Sequence, residues 1–159
     1  MSVGLTPEND IVSGLSINPM TGGFIVNEHR ECSDGVFACG NVLQVHDLVD
    51  NVTAESLLAG KNAGLYALGK LYKNNEHMIS QGDGVRYTVP NSYFEGNDEL
   101  EIFFRVTKKF KNSEIVVVSN NFEIAKKPVI ALNPGEMTSI KVKKSNLNSD
   151  IVVSVRERV

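Results

Sequence analysis

The chain has 159 residues, a formal net charge of −3 and 42% hydrophobic residues, a composition typical of one medium or two small globular domains. No basic stripe stands out, so we expect no nucleic-acid partner. No run approaches the roughly 18 apolar residues of a membrane span, and residues 1–10 lack the pattern of a signal peptide, so we expect a cytoplasmic protein without a membrane span.

Three elements are predicted in the first part of the chain. Gly23–Val26 follows a turn at residues 18–22 and predicts a short strand. Val36–Cys39 is a compact apolar run that ends at Gly40 and is typical of a buried strand. Thr53–Leu71 carries hydrophobic residues mostly at three- and four-residue steps, which predicts a helix.

The predicted helix has one apolar face and two glycines. Asn51 or Thr53 is suited to cap its first turn, and Glu55 suits the positive N-terminal end. Gly60 and Gly64 each weaken a helix by about 1 kcal/mol relative to alanine. A closely packed sheet or cofactor would explain them, and the alternative is that they are simply tolerated. The apolar face consists of Ala54, Leu57, Leu58, Leu65, Leu68 and Leu71.

The second part of the chain alternates apolar and polar residues at period two. Polar residues within 73–84 are interpreted as a linker, and we place the domain boundary between residues 76 and 77. Turn residues separate about seven short strands, which predicts a β-sandwich or small barrel over residues 77–159. The strands are predicted at Val85–Val89, Leu100–Val106, Ile115–Val118, Phe122–Ile124, Val129–Leu132, Ile140–Val142 and Ile151–Val155.

The segment Gly35–Asn41, with the sequence Gly-Val-Phe-Ala-Cys-Gly-Asn, carries the strongest chemical signal. An apolar strand runs into Gly40, where the missing side chain lets a ligand approach the backbone. The carboxamide of Asn41 follows directly and is able to reach a ligand hydroxyl. A helix begins after the next loop, and its N-terminus offers N–H groups to an electron-rich acceptor. The alternative is a strand and turn that bind nothing, which occurs in many proteins.

This segment resembles the second FAD fingerprint of thioredoxin-reductase-like pyridine-nucleotide–disulfide oxidoreductases, in which an apolar–aromatic–apolar run and one further residue precede Gly-Asp. Val3–Asp10 is similar to the segment that returns to the FAD domain, and Gly22–Asn27 to the strand before the fingerprint. Phe37–Asp50 is still more similar to a bacterial subgroup of NAD(P)/FAD-dependent dehydrogenases associated with FAD-linked glycerol-3-phosphate dehydrogenases. Weaker similarity in the tail includes Val85–Pro90, Phe104–Val106 and Asn133–Met137.

The resemblance implies an α+β protein. Residues 1–76 would be the C-terminal segment of an FAD-binding α/β domain, and residues 77–159 a small all-β, sandwich-like domain. Asn41 would meet a flavin ribityl hydroxyl, and backbone amides at residues 53–55 would face the flavin pyrimidine edge. The implied cofactor-binding residues are Gly40, Asn41, Val42, Thr53, Ala54 and Glu55.

Two positions depart from the fingerprint, because Glu31 stands where the family has Thr and Asn41 where it has Asp. An asparagine keeps a carbonyl acceptor but loses the charge of the aspartate. A hydrogen bond to a charged group contributes about 1.5–3 kcal/mol and a neutral one about 1 kcal/mol. We therefore expect retained but weaker anchoring of the flavin at residue 41.

No Gly-x-Gly-x-x-Gly follows a strand in the sequence. The dinucleotide fingerprints of such an enzyme would lie upstream, together with the domain that binds NAD or NADP. We expect a C-terminal fragment that alone binds FAD poorly or not at all and is inactive. Its expected partners are the upstream part of its own protein and another redox subunit. Apolar surface left exposed in residues 1–76 would also favour a homodimer.

His46 and Asp47 are the candidate catalytic residues, because a histidine beside a carboxylate is able to move a proton during flavin chemistry. The alternative is that these sequence neighbours point apart. His29 lies three positions before Cys32, but no second ligand pair completes a metal site, and we expect none. Cys32 and Cys39 are seven positions apart and predict plain thiols in a reducing compartment, with Cys39 a small core residue.

Two functions remain open from the sequence. The first is an FAD-dependent oxidoreductase that passes electrons between a nicotinamide nucleotide and another acceptor, to which this chain contributes the flavin-ribityl and isoalloxazine edge of the FAD site. The alternative is a non-catalytic β-sandwich module for interaction or oligomerisation, in which the first part of the chain is an incomplete remnant.

Overall fold

The structure, a computed structural model, describes residues 6–10 and 12–158, except the side chain of Asn146. The protein is mixed α+β and divides into two compact units between Tyr72 and Lys73. This division lies slightly before the boundary predicted after residue 76. Of the segment Val3–Asp10, residues 3–5 lie outside the described part of the chain.

The first unit contains a two-stranded hairpin and one long helix. Strand β1 (Glu31–Ser33) pairs antiparallel with β2 (Val36–Phe37). Gly35 turns the chain between them with φ of 73°, a conformation that favours glycine. A 3-10 turn follows at Gly40–Val42, and helix α1 spans Val49–Ala67. Among the described residues, no helix is long and apolar enough to cross a membrane.

The strand predicted at Gly23–Val26 does not form. Phe24 makes an isolated bridge to Ile17, and its N–H donates to the carbonyl of Val42 at 3.1 Å. A Cβ at Gly23 would overlap the backbone of Leu43. The prediction was wrong because the glycine brings this segment directly against the 3-10 turn instead of against a neighbouring strand.

Helix α1 begins before its predicted start and ends before the predicted Leu71. Its N-cap residue is Leu48, which makes no side-chain capping hydrogen bond. The predicted caps, Asn51 and Thr53, therefore lie inside the helix. Thr53 Oγ1 donates to the carbonyl of Val49 at 3.1 Å, the bond to the preceding turn that threonine makes within a helix.

The buried face of α1 differs from the predicted apolar face. Leu57 and Leu68 on the predicted face are mostly exposed. A Cβ added at Gly60 or Gly64 would meet nothing within 4 Å, so the described residues contain no closely packed neighbour at either glycine. Polar contacts decided the orientation, since the buried residues are Glu55, Ala59 and Asn62.

The described residues of the second unit form eight strands. They are β3 (Glu76–Gln81), β4 (Val85–Val89), β5 (Ser92–Phe94), β6 (Glu99–Val106), β7 (Phe110–Ser119), β8 (Phe122–Leu132), β9 (Thr138–Lys143) and β10 (Ile151–Glu157). One sheet has the order β5–β3–β10–β7–β8, in which β3 and β10 are parallel and the other pairs antiparallel. The other is antiparallel, with the order β4–β6–β9.

Both sheets of the second unit contribute to one apolar core. Ile102 and Phe104 of β6 and Ile115 and Val117 of β7 have no exposed surface. The residues of β6 alternate with more exposed neighbours, as a strand with one buried face requires, whereas Val116 between the two β7 residues is also buried. The expectation of a small β-rich unit is confirmed.

Three features of the second unit were not predicted. Strand β3 occupies part of the segment interpreted as a linker, because its residues are mostly polar and only Ile79 is buried. Strand β5 was missed. Strand β8 is continuous, although the sequence predicts two strands on either side of Pro128. Because β8 lies at the edge of its sheet, a proline is tolerated there without breaking the pairing with β7.

Candidate functional site

A buried carboxylate, Glu55 of α1, is the most distinctive chemical feature of the first unit. Its Oε1 accepts a hydrogen bond from Arg30 Nε at 2.9 Å. Its Oε2 accepts one from the backbone N–H of Gly40 at 2.8 Å and lies 2.9 Å from His46 Nε2. The side chains of Arg30, His46 and Glu55 are each no more than 3% exposed. We call these three residues, with the N–H of Gly40, the Glu55 cluster.

A tight turn before β1 presents Arg30 to this cluster. Asn27 Oδ1 accepts hydrogen bonds from the backbone N–H groups of His29 at 2.9 Å and Glu31 at 3.2 Å. Arg30 has φ of 66°, a left-handed conformation that is uncommon for residues other than glycine. The ion pair between Arg30 and Glu55 therefore links a constrained turn to helix α1.

Glu31 stabilises the same hairpin. It is buried, its Oε1 accepts from the N–H of Gly35 at 3.0 Å, and its Oε2 accepts from Asn27 Nδ2 at 3.1 Å. Both oxygens of the Glu31 carboxylate therefore accept hydrogen bonds within the turn and the hairpin.

The charge state of the cluster follows from its contacts. Burial alone would raise the pKa of Glu55, but the hydrogen bond with His46, the charge of Arg30 and the N–H of Gly40 together lower that pKa below its ordinary value of 4.5. Glu55 is therefore ionised at neutral pH. Because an ionised carboxylate only accepts hydrogen bonds, His46 Nε2 carries a proton and donates it to Glu55.

The loop between the 3-10 turn and α1 holds buried polar atoms that have no hydrogen-bond partner in the described part of the chain. They are His46 Nδ1 and both side-chain amide atoms of Gln44, a residue that is 1% exposed. An unpaired buried donor or acceptor costs about 1–3 kcal/mol, so such atoms indicate a place for a ligand group or a bound water. Gln44 offers a donor and an acceptor side by side, and a neutral His46 offers an acceptor at Nδ1.

No protein-family model, curated protein or solved structure matches the chain. The flavoprotein resemblance therefore depends on the residues of this chain and on whether their geometry suits a flavin. Gln44 offers a buried donor and acceptor and Asn41 an exposed carboxamide, and these groups are able to hydrogen-bond to the polar groups of a flavin, although Gln44 is not accessible in this conformation.

The three fingerprint residues lie together in the 3-10 turn. Gly40 is buried and has φ of 75°, and Val42 is half-buried. Asn41 is exposed, and its Oδ1 accepts from the backbone N–H of His46 at 3.2 Å. A carbonyl oxygen accepts two hydrogen bonds, so Oδ1 is able to accept a second one from a ligand hydroxyl.

The predicted role of the helix residues needs correction. Because α1 begins at Val49, the amides of Thr53, Ala54 and Glu55 lie beyond its first turn, where each N–H bonds within the helix. The amides of Val49 and Asp50 lie at the helix start instead. Thr53 and Ala54 are exposed, whereas Glu55 acts through its buried side chain.

The carboxylate that contacts His46 is Glu55, whereas Asp47 is exposed. Within residues 6–10 and 12–158, no group of three or more histidine, cysteine or acidic residues is arranged to hold a metal ion. Cys32 and Cys39 are free and half-buried, and burial raises the pKa of the Cys32 thiol.

Sequence reasoning missed Arg30 and Gln44. Arg30 lies 25 positions before Glu55, and no local pattern links the two residues. Gln44 lies in Phe37–Asp50, the stretch that resembles the flavin-dependent dehydrogenases. Nothing in the sequence of that stretch indicates that the Gln44 side chain is buried. The burial of Glu55, which shows that polar contacts orient the helix, is visible only in the structure.

Proposed function

We propose that this chain contributes the flavin-ribityl and isoalloxazine edge of an FAD site in an NAD(P)H-dependent oxidoreductase. The observation that carries the proposal is the exposed carboxamide of Asn41, presented by a glycine-containing turn and bonded to the backbone N–H of His46, in the same short segment as the unpaired polar atoms of Gln44 and His46. An exposed acceptor and unpaired polar atoms within one segment suit a ligand that has several hydroxyl groups and a polar ring.

Asn41 is the residue we assign to the ribityl chain. Its Oδ1 already accepts the N–H of His46, which holds the carboxamide in one orientation. The same oxygen has capacity for a second hydrogen bond from a ribityl hydroxyl. The bond is neutral, so it contributes about 1 kcal/mol, less than the charged bond of an aspartate.

Gln44 and His46 are the residues we assign to the polar ring edge. The flavin pyrimidine ring carries carbonyl acceptors and an N–H donor side by side, which a side-chain amide is able to match. Because these atoms are buried, a flavin reaches them only after the loop at residues 43–48 shifts. The cost of that shift makes us expect weak binding by the chain alone. The amides at the start of α1 would favour negative charge on the ring.

Glu55 acts as a positioning residue in this proposal. It holds the N–H of Gly40 and the Nε2 of His46 with the same carboxylate oxygen, and thereby fixes the turn and the histidine together. His46 is left with Nδ1 as the atom able to accept a proton or a hydrogen bond. Bound FAD would supply the electron transfer itself, while these residues bind and orient it.

The rest of the site has to come from another polypeptide segment. The sequence contains no glycine-rich pyrophosphate cradle, and NAD or NADP would bind with that missing part. The chain alone is therefore expected to be inactive. An upstream segment of the same protein and a second redox subunit are the partners that the function requires.

The test is a titration of the ¹⁵N-labelled chain with FMN, which carries the ribityl chain and the ring but no adenosine. We expect saturable shifts at the amides of residues 40–50, with a dissociation constant near the millimolar range, equivalent to about −4 kcal/mol. ADP should leave these amides unchanged, because its binding site is absent. Failure of FMN to shift them, or equal shifts with ADP, would contradict the proposal.

Two variants at one position sharpen this titration. Asn41→Ala removes the acceptor and should weaken FMN binding several-fold. Asn41→Asp introduces the charged acceptor of the family and should tighten binding several-fold, because a charged hydrogen bond is the stronger one. Identical affinities of both variants would rule out a ribityl contact at residue 41.

A second candidate function is the interaction module, which is favoured by one observation on β8. Phe122 and Ile130 are 74% and 90% exposed on this edge strand, although the unit has a well-formed apolar core of its own. Large exposed apolar side chains are typical of association surfaces. If FMN shifts no amide while Phe122→Ser with Ile130→Ser abolishes self-association in sedimentation experiments, the module becomes the better function.

A further inference from the structure

Strand β9 presents a row of backbone groups along one edge of its sheet. Among the described strands, β9 pairs only with β6, so its other edge is free. The N–H of Lys144 continues the register and donates to the carbonyl of Asp98 at 3.0 Å, which marks a hydrogen-bonded pair of the antiparallel ladder. Because such pairs alternate with pairs that exchange no hydrogen bonds, the N–H and C=O groups of Ser139, Lys141 and Lys143 point away from β6.

A lysine from the other sheet supports this direction. Lys127 Nζ of β8 donates to the backbone carbonyl of Ser139 at 3.1 Å, so that carbonyl faces β8 rather than β6. Lys127 lies opposite the buried Ile115 in the pairing of β7 with β8, and its side chain therefore leaves the sheet on the core side. Its ammonium group keeps further N–H donors that are able to bind a carboxylate.

A cleft of about 360 Å³ lies between β8 and β9. Ala125 and Ile140 are its apolar lining, and Lys126, Lys127 and Lys141 bring positive charge to it. A strand added to the free edge of β9 would lie about 4.8 Å from β9 and would direct every second side chain to the side of this cleft.

The charge of the two strand edges selects the kind of strand that fits. Lys141 pairs with Glu99 at 3.4 Å, whereas Lys127 and Lys143 form no ion pair with another described residue. Lysines on an edge disfavour pairing with a like-charged strand, so β8 or β9 of a second copy is a poor partner. The same lysines suit a strand that carries carboxylates.

We propose that the free edge of β9 binds an extended acidic segment of a partner protein as an additional strand. Partner residues opposite Ser139, Lys141 and Lys143 exchange backbone hydrogen bonds with them, and their carboxylates lie beside the two lysines on the outer face of the sheet. The partner residues between them face the cleft, where small apolar side chains contact Ala125 and Ile140. The partner segment therefore alternates acidic and small apolar residues.

The expected complex is weak, because a short segment loses conformational freedom when it is ordered as a strand. We expect a dissociation constant between about 10 μM and 1 mM. The surface lies within residues 125–143 and does not depend on a flavin. The FMN titration reports on residues 40–50, so the two proposals succeed or fail separately.

The test is a titration of the ¹⁵N-labelled chain with a blocked peptide of sequence Thr-Glu-Val-Glu-Val-Glu-Thr. We expect saturable shifts at residues 138–143 and slower hydrogen exchange at the amides of Ser139, Lys141 and Lys143. The amides of Ile140 and Val142 face β6 and should be protected already without the peptide.

A peptide with N-methylated glutamates separates strand addition from charge attraction. It keeps every carboxylate but lacks the N–H groups that would bond to β9, and it should bind about tenfold more weakly or less. Equal binding of the two peptides would overturn the proposal, as would equal shifts with a short DNA oligonucleotide.

Lysine variants test the charge. Lys141→Gln combined with Lys143→Gln should weaken peptide binding about tenfold and leave the fold unchanged, because both side chains are exposed. Lys109→Gln with Lys111→Gln is the matched control, since it removes the same charge at exposed lysines outside β9 and the cleft. Equal affinity of both double variants, or a peptide that shifts no amide at millimolar concentration, would overturn the proposal.

Discussion

The two units of this protein are stabilised by different chemistry. The first unit buries Arg30, Gln44 and Glu55 and leaves Leu57 exposed, whereas the second unit buries an apolar cluster to which both of its sheets contribute. The first unit also buries apolar residues such as Leu43, but an ion pair lies among its buried residues, whereas the buried core cluster of the second unit is hydrophobic. The comparison teaches that the first unit is the one in which single polar groups are expected to control structure and ligand binding.

The largest expected effect lies in the apolar core of the second unit. Phe104→Ala removes a side chain with no exposed surface and should lower the free energy of unfolding of this unit by about 3–5 kcal/mol. Phe122→Ala is the matched control, because Phe122 is mostly exposed, and its effect should stay within about 0.5 kcal/mol. Urea unfolding followed by amide signals of residues 73–158 measures both. Similar effects of the two changes would contradict a packing-dominated unit.

Removal of the Glu55 charge should have the largest effect in the first unit. Glu55→Gln leaves the guanidinium of Arg30 buried without its counter-charge, and we expect a loss of about 3 kcal/mol. Glu99→Gln is the control, since Glu99 pairs with Lys141 at 3.4 Å on the surface, where such pairs contribute about 0–1 kcal/mol. Urea unfolding followed at 222 nm, where α1 dominates the signal, gives the measurement. An equal, small loss in both variants would show that the cluster is not what holds the first unit together.

Acid should affect the two units differently. The pKa of Glu55 is lower in the folded chain than its ordinary 4.5, so its stabilisation is fully present above pH 4.5 and is lost as the pH falls through the folded value. Hydrogen bonds from His77 and Arg156 also lower the pKa values of Glu95 and Glu123 in the second unit, but the side chains of these two glutamates are 30% and 42% exposed, against 3% for Glu55. Below pH 4.5, added salt should therefore weaken the acid dependence of the second unit more than that of the first.

Unfolding midpoints of each unit, measured against pH at low and high salt, check this difference. Glu55→Gln should remove the acid dependence of the helix signal below pH 4.5 and leave that of the second unit unchanged. An acid dependence of the helix that persists in this variant would mean that another group is responsible.

The smallest expected effect is a gain in stability at α1. Gly60→Ala adds a side chain where nothing lies within 4 Å, so the helix should become more stable by about 1 kcal/mol, measured at a concentration where the chain is monomeric. Gly23→Ala is the opposite case, because its Cβ would overlap the carbonyl of Leu43 and should destabilise the first unit. A destabilising Gly60→Ala would show that another part of the protein covers this face.

The strands of the second unit were largely predictable. In β6, Leu100, Ile102 and Phe104 alternate with polar or less buried residues, and that local period reports the buried face directly. Strand β3 escaped prediction because only Ile79 is buried. Its formation depends on pairing with β5 and β10, which are distant in sequence.

Sequence reasoning predicted only those features of the candidate site that depend on residues adjacent in the chain. The position of Asn41 after the glycine of a turn follows from adjacent residues, and Asn41 is exposed in that turn. The start of α1 and the face it buries were predicted incorrectly, because apolar periodicity carries no information about the ion pair of Arg30 with Glu55. Whether the site binds a flavin stays a prediction until the titration is done.

The sequence by itself determined the alternation of the strands, the presence of a long helix and the turn that presents Asn41, because each depends on residues close together in the chain. Only the tertiary structure decided which face of α1 is buried and which carboxylate meets His46. Those outcomes depend on Arg30, Gly40 and Glu55 meeting in a buried place, where unpaired charges are costly and hydrogen-bond geometry selects one orientation of the helix.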